Sequence, residues 1–137
     1  FQNVITDPEI LIVRFDAQLY FANTNYFKDK LKQFVREKGS ELRLLIIDGE
    51  SLNALDSSAI YALEEILDFF ANKGIVIAFS GLKGPVRDAL VKSQLMKKIR
   101  YDRCFMSIQE AVDSYRSNGF ESSEGYSYQE YTKQANR

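Results

Sequence analysis

The chain has 137 residues, 45% of them hydrophobic and 27% charged, and carries a formal net charge of -1. That profile is expected of one soluble globular domain with its own core, and it excludes disorder, collagen-like repeats and, with Cys104 the single cysteine, a disulfide framework. The absence of histidine removes the Ser-His and Cys-His nucleophile pairs and most zinc sites.

No apolar run approaches the roughly 20 residues that a membrane-spanning helix needs. A lone Cys104 suits a reducing compartment and reads as a structural side chain. Phe1 in place of an initiator Met points to a segment of something longer.

In chain order, residues 10–15 read as a strand and 19–21 as a second short one after the polar break at Asp16 and Gln18. Asn23 and Thr24 are N-cap types. Behind them Phe27, Leu31, Phe34 and Val35 recur at helical spacing until Gly39, which suits the residue just past a helix. Residues 42–47 form an almost continuous apolar run ending in Asp48-Gly49, the mark of a parallel strand covered on both faces. The segment 57–72 places Ile60, Leu63, Ile66, Leu67 and Phe70 on one helix face and Glu64, Glu65 and Asp68 on another, and Gly74 ends it. Residues 75–79 are the next buried strand, so a right-handed βαβ unit with a partly parallel sheet is expected. Gly84-Pro85 opens a short helix to about Lys92, and 104–106 is a candidate last strand. Ser107 and Glu110 make a capping box ahead of a helix to about Arg116. From Gly119 the sequence is polar and without apolar period, which reads as a mobile tail.

Three places are candidate sites. Leu55-Asp56-Ser57-Ser58-Ala59 opens a helix just beyond a central strand, where free N–H groups and the helix dipole favour an anion or a phosphorylated hydroxyl; simple capping by Asp56 or Ser57 explains the same residues. Ser80-Gly81-Leu82-Lys83-Gly84 lacks phosphate-loop spacing and is a connecting turn. The carboxylates Asp48, Glu50, Asp56, Glu64, Glu65 and Asp68 fit a solvated acidic surface better than a hard-metal site. Charge is segregated, however: acids without bases lie between Arg43 and Lys73, whereas Lys83, Arg87, Lys92, Lys97, Lys98, Arg100 and Arg103 are opposed only by Asp88 and Asp102. Docking surfaces are built this way, and Lys97, Lys98 and Arg100 are the candidate contact to a partner or to lipid, whose reversal to Glu is expected to spare the fold. Nucleic acid is not an expected partner, since the chain is not basic and carries no recognised motif.

The run Ile12-Val13-Arg14-Phe15-Asp16-Ala17-Gln18-Leu19-Tyr20-Phe21-Ala22-Asn23 resembles the start of the STAS domain at the cytoplasmic C-terminus of SulP-type sulfate permeases and related anion transporters. Residues 45–59, with Asp48 closing a strand and Asp56-Ser57-Ser58 opening a helix, are similar to the motif shared by STAS domains generally, bacterial anti-sigma-factor antagonists included. The turn Gly81-Leu82-Lys83-Gly84-Pro85-Val86-Arg87 resembles that of the transporter branch, and together these stretches cover about residues 10–115. Ala59 stands where many STAS domains have Gly, and Ser93-Gln94-Leu95 lacks a Gly often found there.

The resemblance implies a mixed central β-sheet with a parallel βαβ core flanked by amphipathic helices, as a domain over 1–118 followed by a tail over 119–137. It also implies a non-catalytic regulatory domain without cofactor, on the cytoplasmic side of the plasma membrane. The implied partner is the transmembrane domain of the parent transporter, with other cytoplasmic proteins or anionic lipid headgroups as further contacts. By the same resemblance Ser58 is the residue phosphorylated in the anti-sigma branch, flanked by Ser57 and Asp56. The alternative is therefore a free-standing phospho-switch that binds an anti-sigma kinase. Nucleotide binding is a third class, which no phosphate loop here supports.

Overall fold

The computed structural model describes residues 7–14 and 23–120. Four strands, β1 (Ile10–Arg14), β2 (Leu44–Asp48), β3 (Val76–Ser80) and β4 (Cys104–Phe105), form one sheet in the order β1-β2-β3-β4, with every pairing among the described residues parallel. The connections carry α1 (Thr24–Lys38), α2 (Ser57–Ala71), α3 (Gly84–Lys92) and the four-residue α4 (Met96–Ile99), and α5 (Ile108–Asn118) follows β4. The short strand expected at 19–21 and the tail beyond 120 lie outside the described residues. Residues 93–103, whose pattern predicts no element, hold α4 and a 3₁₀ turn, Tyr101–Arg103, which tuck Leu95, Met96, Ile99 and Tyr101 into the core.

The period of two in the strands divides the core. Leu11, Val13, Leu45, Ile47, Ile77 and Phe79 face α1, α2 and α3 through Phe27, Leu31, Leu63, Ile66, Phe70, Val86 and Leu90. Their neighbours Ile10, Ile12, Leu44, Ile46 and Ala78 face the other way, onto Ala111 and Val112 of α5. That division is why 42–47 reads as unbroken apolar sequence: both faces are covered. On α2 the buried stripe is Ala59, Ala62, Leu63, Ile66 and Phe70, so two alanines join the predicted face and Ile60 and Leu67 lie at its margins.

Local chemistry fixes the helix ends. Ser107 Oγ accepts the Glu110 amide at 3.1 Å, while Glu110 Oε2 accepts the Met106 amide at 3.1 Å, one residue before the position a standard capping box uses. Asn23 occupies the N-cap of α1 without a capping hydrogen bond from its side chain. Gly119 ends α5 in the left-handed conformation, and Phe120 folds back so that its ring stacks on Phe105 at 5.7 Å and meets Tyr115 edge-on at 5.6 Å. Packing therefore continues to Phe120, two residues past the expected boundary at 118.

Candidate functional site

At the carboxyl end of the sheet, the last residues of three strands stand side by side: Arg14 pairs in register with Asp48, and Asp48 with Ser80. Asp48 is only 6% exposed. Its Oδ1 accepts the Glu50 amide at 3.0 Å, and its Oδ2 lies 3.7 Å from Arg14 Nε, so the carboxylate turns the chain out of β2 and neutralises an arginine at once. Ser80 is 1% exposed, and its Oγ has no hydrogen-bond partner among the described residues, an arrangement that costs about 1–3 kcal/mol.

Two backbone bonds tie this end together: the Gly49 amide donates to Ser80 O at 2.9 Å and the Gly81 amide to Phe105 O at 3.0 Å. Gly81 has φ +68, and a Cβ there would lie 3.3 Å from Glu50 Cβ and 3.6 Å from Asp48 Oδ1, so conformation and space both call for glycine. Lys83 Nζ reaches Asn53 Oδ1 at 2.7 Å and links the β3–α3 turn to the loop 49–56. The segment 80–84 is a connecting turn, as its spacing indicates.

From that loop the chain enters α2. Asp56 is its N-cap, in extended conformation, and its Oδ1 accepts the Ala59 amide at 2.8 Å while its carbonyl takes the Ile60 amide at 3.0 Å. Of the first four helical amides, those of Ser57 and Ser58 are left without an intrahelical partner. Ser57 is exposed and Ser58 half-buried, and neither hydroxyl has a hydrogen-bond partner among the described residues. Ala59, the departure from glycine, is 0% exposed and packs in the core; its methyl fills space and leaves the serines outward. The three residues Asp56, Ser57 and Ser58 are thus together at one helix terminus, where two free N–H groups and the positive end of the dipole meet two accessible hydroxyls.

The basic candidates lie elsewhere. Lys98 Nζ sits 3.2 Å from Asp68 Oδ1 and 3.4 Å from Glu64 Oε2, which places it about 10–16 Å along α2 from Ser57 at 1.5 Å per residue. Those contacts, Asp68 foremost, raise the Lys98 pKa above the ordinary lysine value. Arg100 makes a two-pronged pair with Asp102 at 3.1 and 2.9 Å. Lys97 is exposed and has no ion pair among the described residues. The acidic and basic regions read as separate surfaces in the sequence therefore meet across α2 and α4, and Lys28 with Glu65 at 2.9 Å adds a further link. Reversing Lys98 would set a carboxylate against Glu64 and Asp68, so the triple reversal is not a neutral surface change.

Cys104 is half-buried, its Sγ 3.8 Å from Met96 Sδ, and burial pushes its thiol up to about 12, so it is not a thiolate near neutral pH. Among the described residues no group of three or more His, Cys, Asp or Glu side chains could hold a metal ion, and no helix is long and apolar enough to cross a membrane.

The family model described as STAS domain matches residues 2–111. A Mycobacterium tuberculosis protein named as a probable sulfate transporter is 29% identical over 109 residues, which are 80% of this chain and 20% of that protein. The chain therefore spans about a fifth of the length of such relatives. Among solved structures, the STAS domain of a SulP transporter from Vibrio cholerae superposes with TM-score 0.68 at 19% identity, covering 82% of this chain and 85% of that one. A murine solute carrier 26 family anion transporter in the inward-facing state gives 0.72 at 23% identity, over 80% of this chain and 18% of that one. A Thermotoga maritima protein described as an anti-sigma factor antagonist gives 0.69 at 16% identity, over 83% and 92%.

Proposed function

Because this chain belongs to the STAS domain family, matched over residues 2–111, we propose that it is the regulatory STAS domain of a SulP-type sulfate or anion transporter, acting through protein contacts and without catalysis. The observation that carries the reading is the match to one fifth of a protein named as a probable sulfate transporter, at 29% identity over most of this chain. In this reading the partner is the transmembrane domain of the same transporter, and the domain lies on the cytoplasmic side of the membrane. The amino end of α2 is the regulated surface: Asp56 holds the helix start, and Ser58 is the hydroxyl that accepts a phosphate. Lys97 is the cation of α4 left free for anionic loops or lipid headgroups, while Lys98 and Arg100 hold the surface in shape.

The physics of the switch follows from the amide count. A phosphate on Ser58 gains roughly 0.3–1 kcal/mol from the helix dipole. It also meets Asp56; at about 5 Å and an effective dielectric near 20, one pair of unit charges repels by ~3 kcal/mol before salt screening. The repulsion wins, so phosphorylation loosens the Asp56–Ala59 cap and the loop 49–56 behind it.

A second reading, a free-standing anti-sigma-factor antagonist, is favoured by the near-complete coverage of the Thermotoga maritima chain. The coding sequence upstream of Phe1 separates the two. A long series of apolar spans continuous with this chain supports the transporter; an open reading frame that begins just before Phe1 removes it and leaves the free-standing switch.

A further inference from the structure

At the opposite end of the sheet from α2's serines lies a half-open cleft of about 490 Å³ between the carboxyl ends of α1 and α2. Among the described residues four cations line it, Lys32, Arg36, Arg43 and Lys73, and no acidic residue does. They come from three separate places: two from α1, one from the approach to β2 and one from the turn after α2. None of the four forms an ion pair among the described residues, whereas Lys28, Lys98, Arg100 and Arg116 all do. Lys32 and Lys73 instead hold their ammonium groups 4.4 and 5.0 Å from the centre of the Phe69 ring. The apolar surface it offers is that of the half-buried Phe69, with the margins of Val35 and Ile75, while Leu42 and Phe70 lie closed off behind them.

Compensation of the helix dipoles accounts for Arg36, in the last turn of α1, and for Lys73, just past the end of α2, and Arg43 Nη1 donates to Ser40 O and Leu42 O at 3.4 and 3.1 Å, but none of this accounts for the cleft. The occupant is constrained by the same dipoles. Two helix carboxyl ends bring partial negative charge to the base of the cleft, and no free amide points in from a helix start, so a compact anion such as phosphate is poorly served there. Charge belongs on the rim and apolar surface at the base. A concave site of this size takes a side chain, which a flat membrane surface does not supply.

We infer that this cleft binds an acidic peptide segment of a protein partner, with carboxylates on the four cations and an apolar or aromatic side chain against Phe69, Val35 and Ile75. The site is remote from Asp56 and Ser58, so it serves a second contact, independent of the α2 surface.

Fluorescence anisotropy of a labelled Glu-Glu-Phe-Glu-Glu peptide with the full 137-residue chain tests it. Saturable binding is expected. Replacing the central Phe by Ala weakens it about tenfold or more, the loss of one buried aromatic. Arg36→Glu with Lys73→Glu weakens it about tenfold or more, and raising salt weakens it further. Arg36→Gln with Lys73→Gln replaces the reversal if the reversed chain does not fold. Equal affinity of the neutralised or reversed chain, or equal affinity for the Phe and Ala peptides, overturns the proposal. So does binding to phosphatidylserine vesicles, lost on the reversal, by a chain that binds no peptide.

Discussion

Replacing Gly81 by Ala tests whether the carboxyl end of the sheet is built as described. Two costs are expected there. The left-handed conformation, φ +68, penalises any Cβ by roughly 1–2 kcal/mol, partly offset by about 0.4–1 kcal/mol from a less flexible unfolded chain. The new methyl also presses on Glu50 Cβ at 3.3 Å, with Asp48 Oδ1 behind it, and crowding of this kind costs typically about 1–3 kcal/mol. Gly74 separates the two, since it has a similar φ of +73 but no atom within 4 Å of the added Cβ. Gly74→Ala is therefore expected to cost ~0.5–1.5 kcal/mol and Gly81→Ala ~2–4. At about 4 °C per kcal/mol for a chain of this size, thermal unfolding followed by circular dichroism should fall by roughly 2–6 °C in the first and roughly 8–16 °C in the second. Equal shifts in the two variants refute the close approach of Gly81 to Glu50; no shift in either refutes the left-handed turns.

Gln94, also at φ +66, carries the opposite opportunity, and Gln94→Gly should stabilise the chain by about 0.5–1 kcal/mol in urea unfolding; a loss of stability would contradict the assigned backbone. Asp56→Ala should cost about 0.5–2 kcal/mol, the typical loss of an N-cap, and Ser58→Asp should increase amide exchange in 49–59 without unfolding the sheet; unchanged exchange counts against the switch. Tyr115 donates its hydroxyl to Glu9 Oε1 at 2.9 Å, and burial first, then that bond, push its pKa to about 12 from 10. A raised folded pKa gives stability that is present below pH ~10 and lost as pH rises through ~12, so stability should fall across that window and Tyr115→Phe should flatten the fall. An identical pH profile in the variant refutes the role of this pair.

What could be read from the sequence was what local pattern encodes. The α2 cap, offered as Asp56 or Ser57 and made by Asp56, the Ser107 half of the capping box and the Gly84-Pro85 helix start depend on residues at most three or four apart, and each forms, although Glu110 reaches one residue further back, to Met106. The STAS likeness likewise rested on contiguous stretches. The four residues of α4 complete barely one turn, too short for any period to show, although Leu95, Met96 and Ile99 were apolar cues. Lys98 on Glu64 and Asp68 joins residues 30 or more apart, so a linear charge count registered two surfaces where the fold has one neutralised seam. The basic cleft escaped for the same reason, since its four cations are scattered from 32 to 73 and meet only when α1 and α2 end side by side. Ser80 carried a faint signal, a hydroxyl closing an apolar strand before glycine, but its lack of a partner is a property of the packed end alone. The absence of Gly at 93–95 is legible in the sequence, and Gln94 takes the left-handed conformation there.

The central claim, that this chain regulates the anion transporter of which it is a part, is tested most directly by labelled sulfate uptake in cells. The full gene product is compared with the same protein truncated before Phe1 and with its Ser58→Asp variant, at matched amounts in the membrane. The account predicts a large loss or change of uptake on truncation and a partial change in the same direction for Ser58→Asp. Uptake that is identical in all three contradicts it.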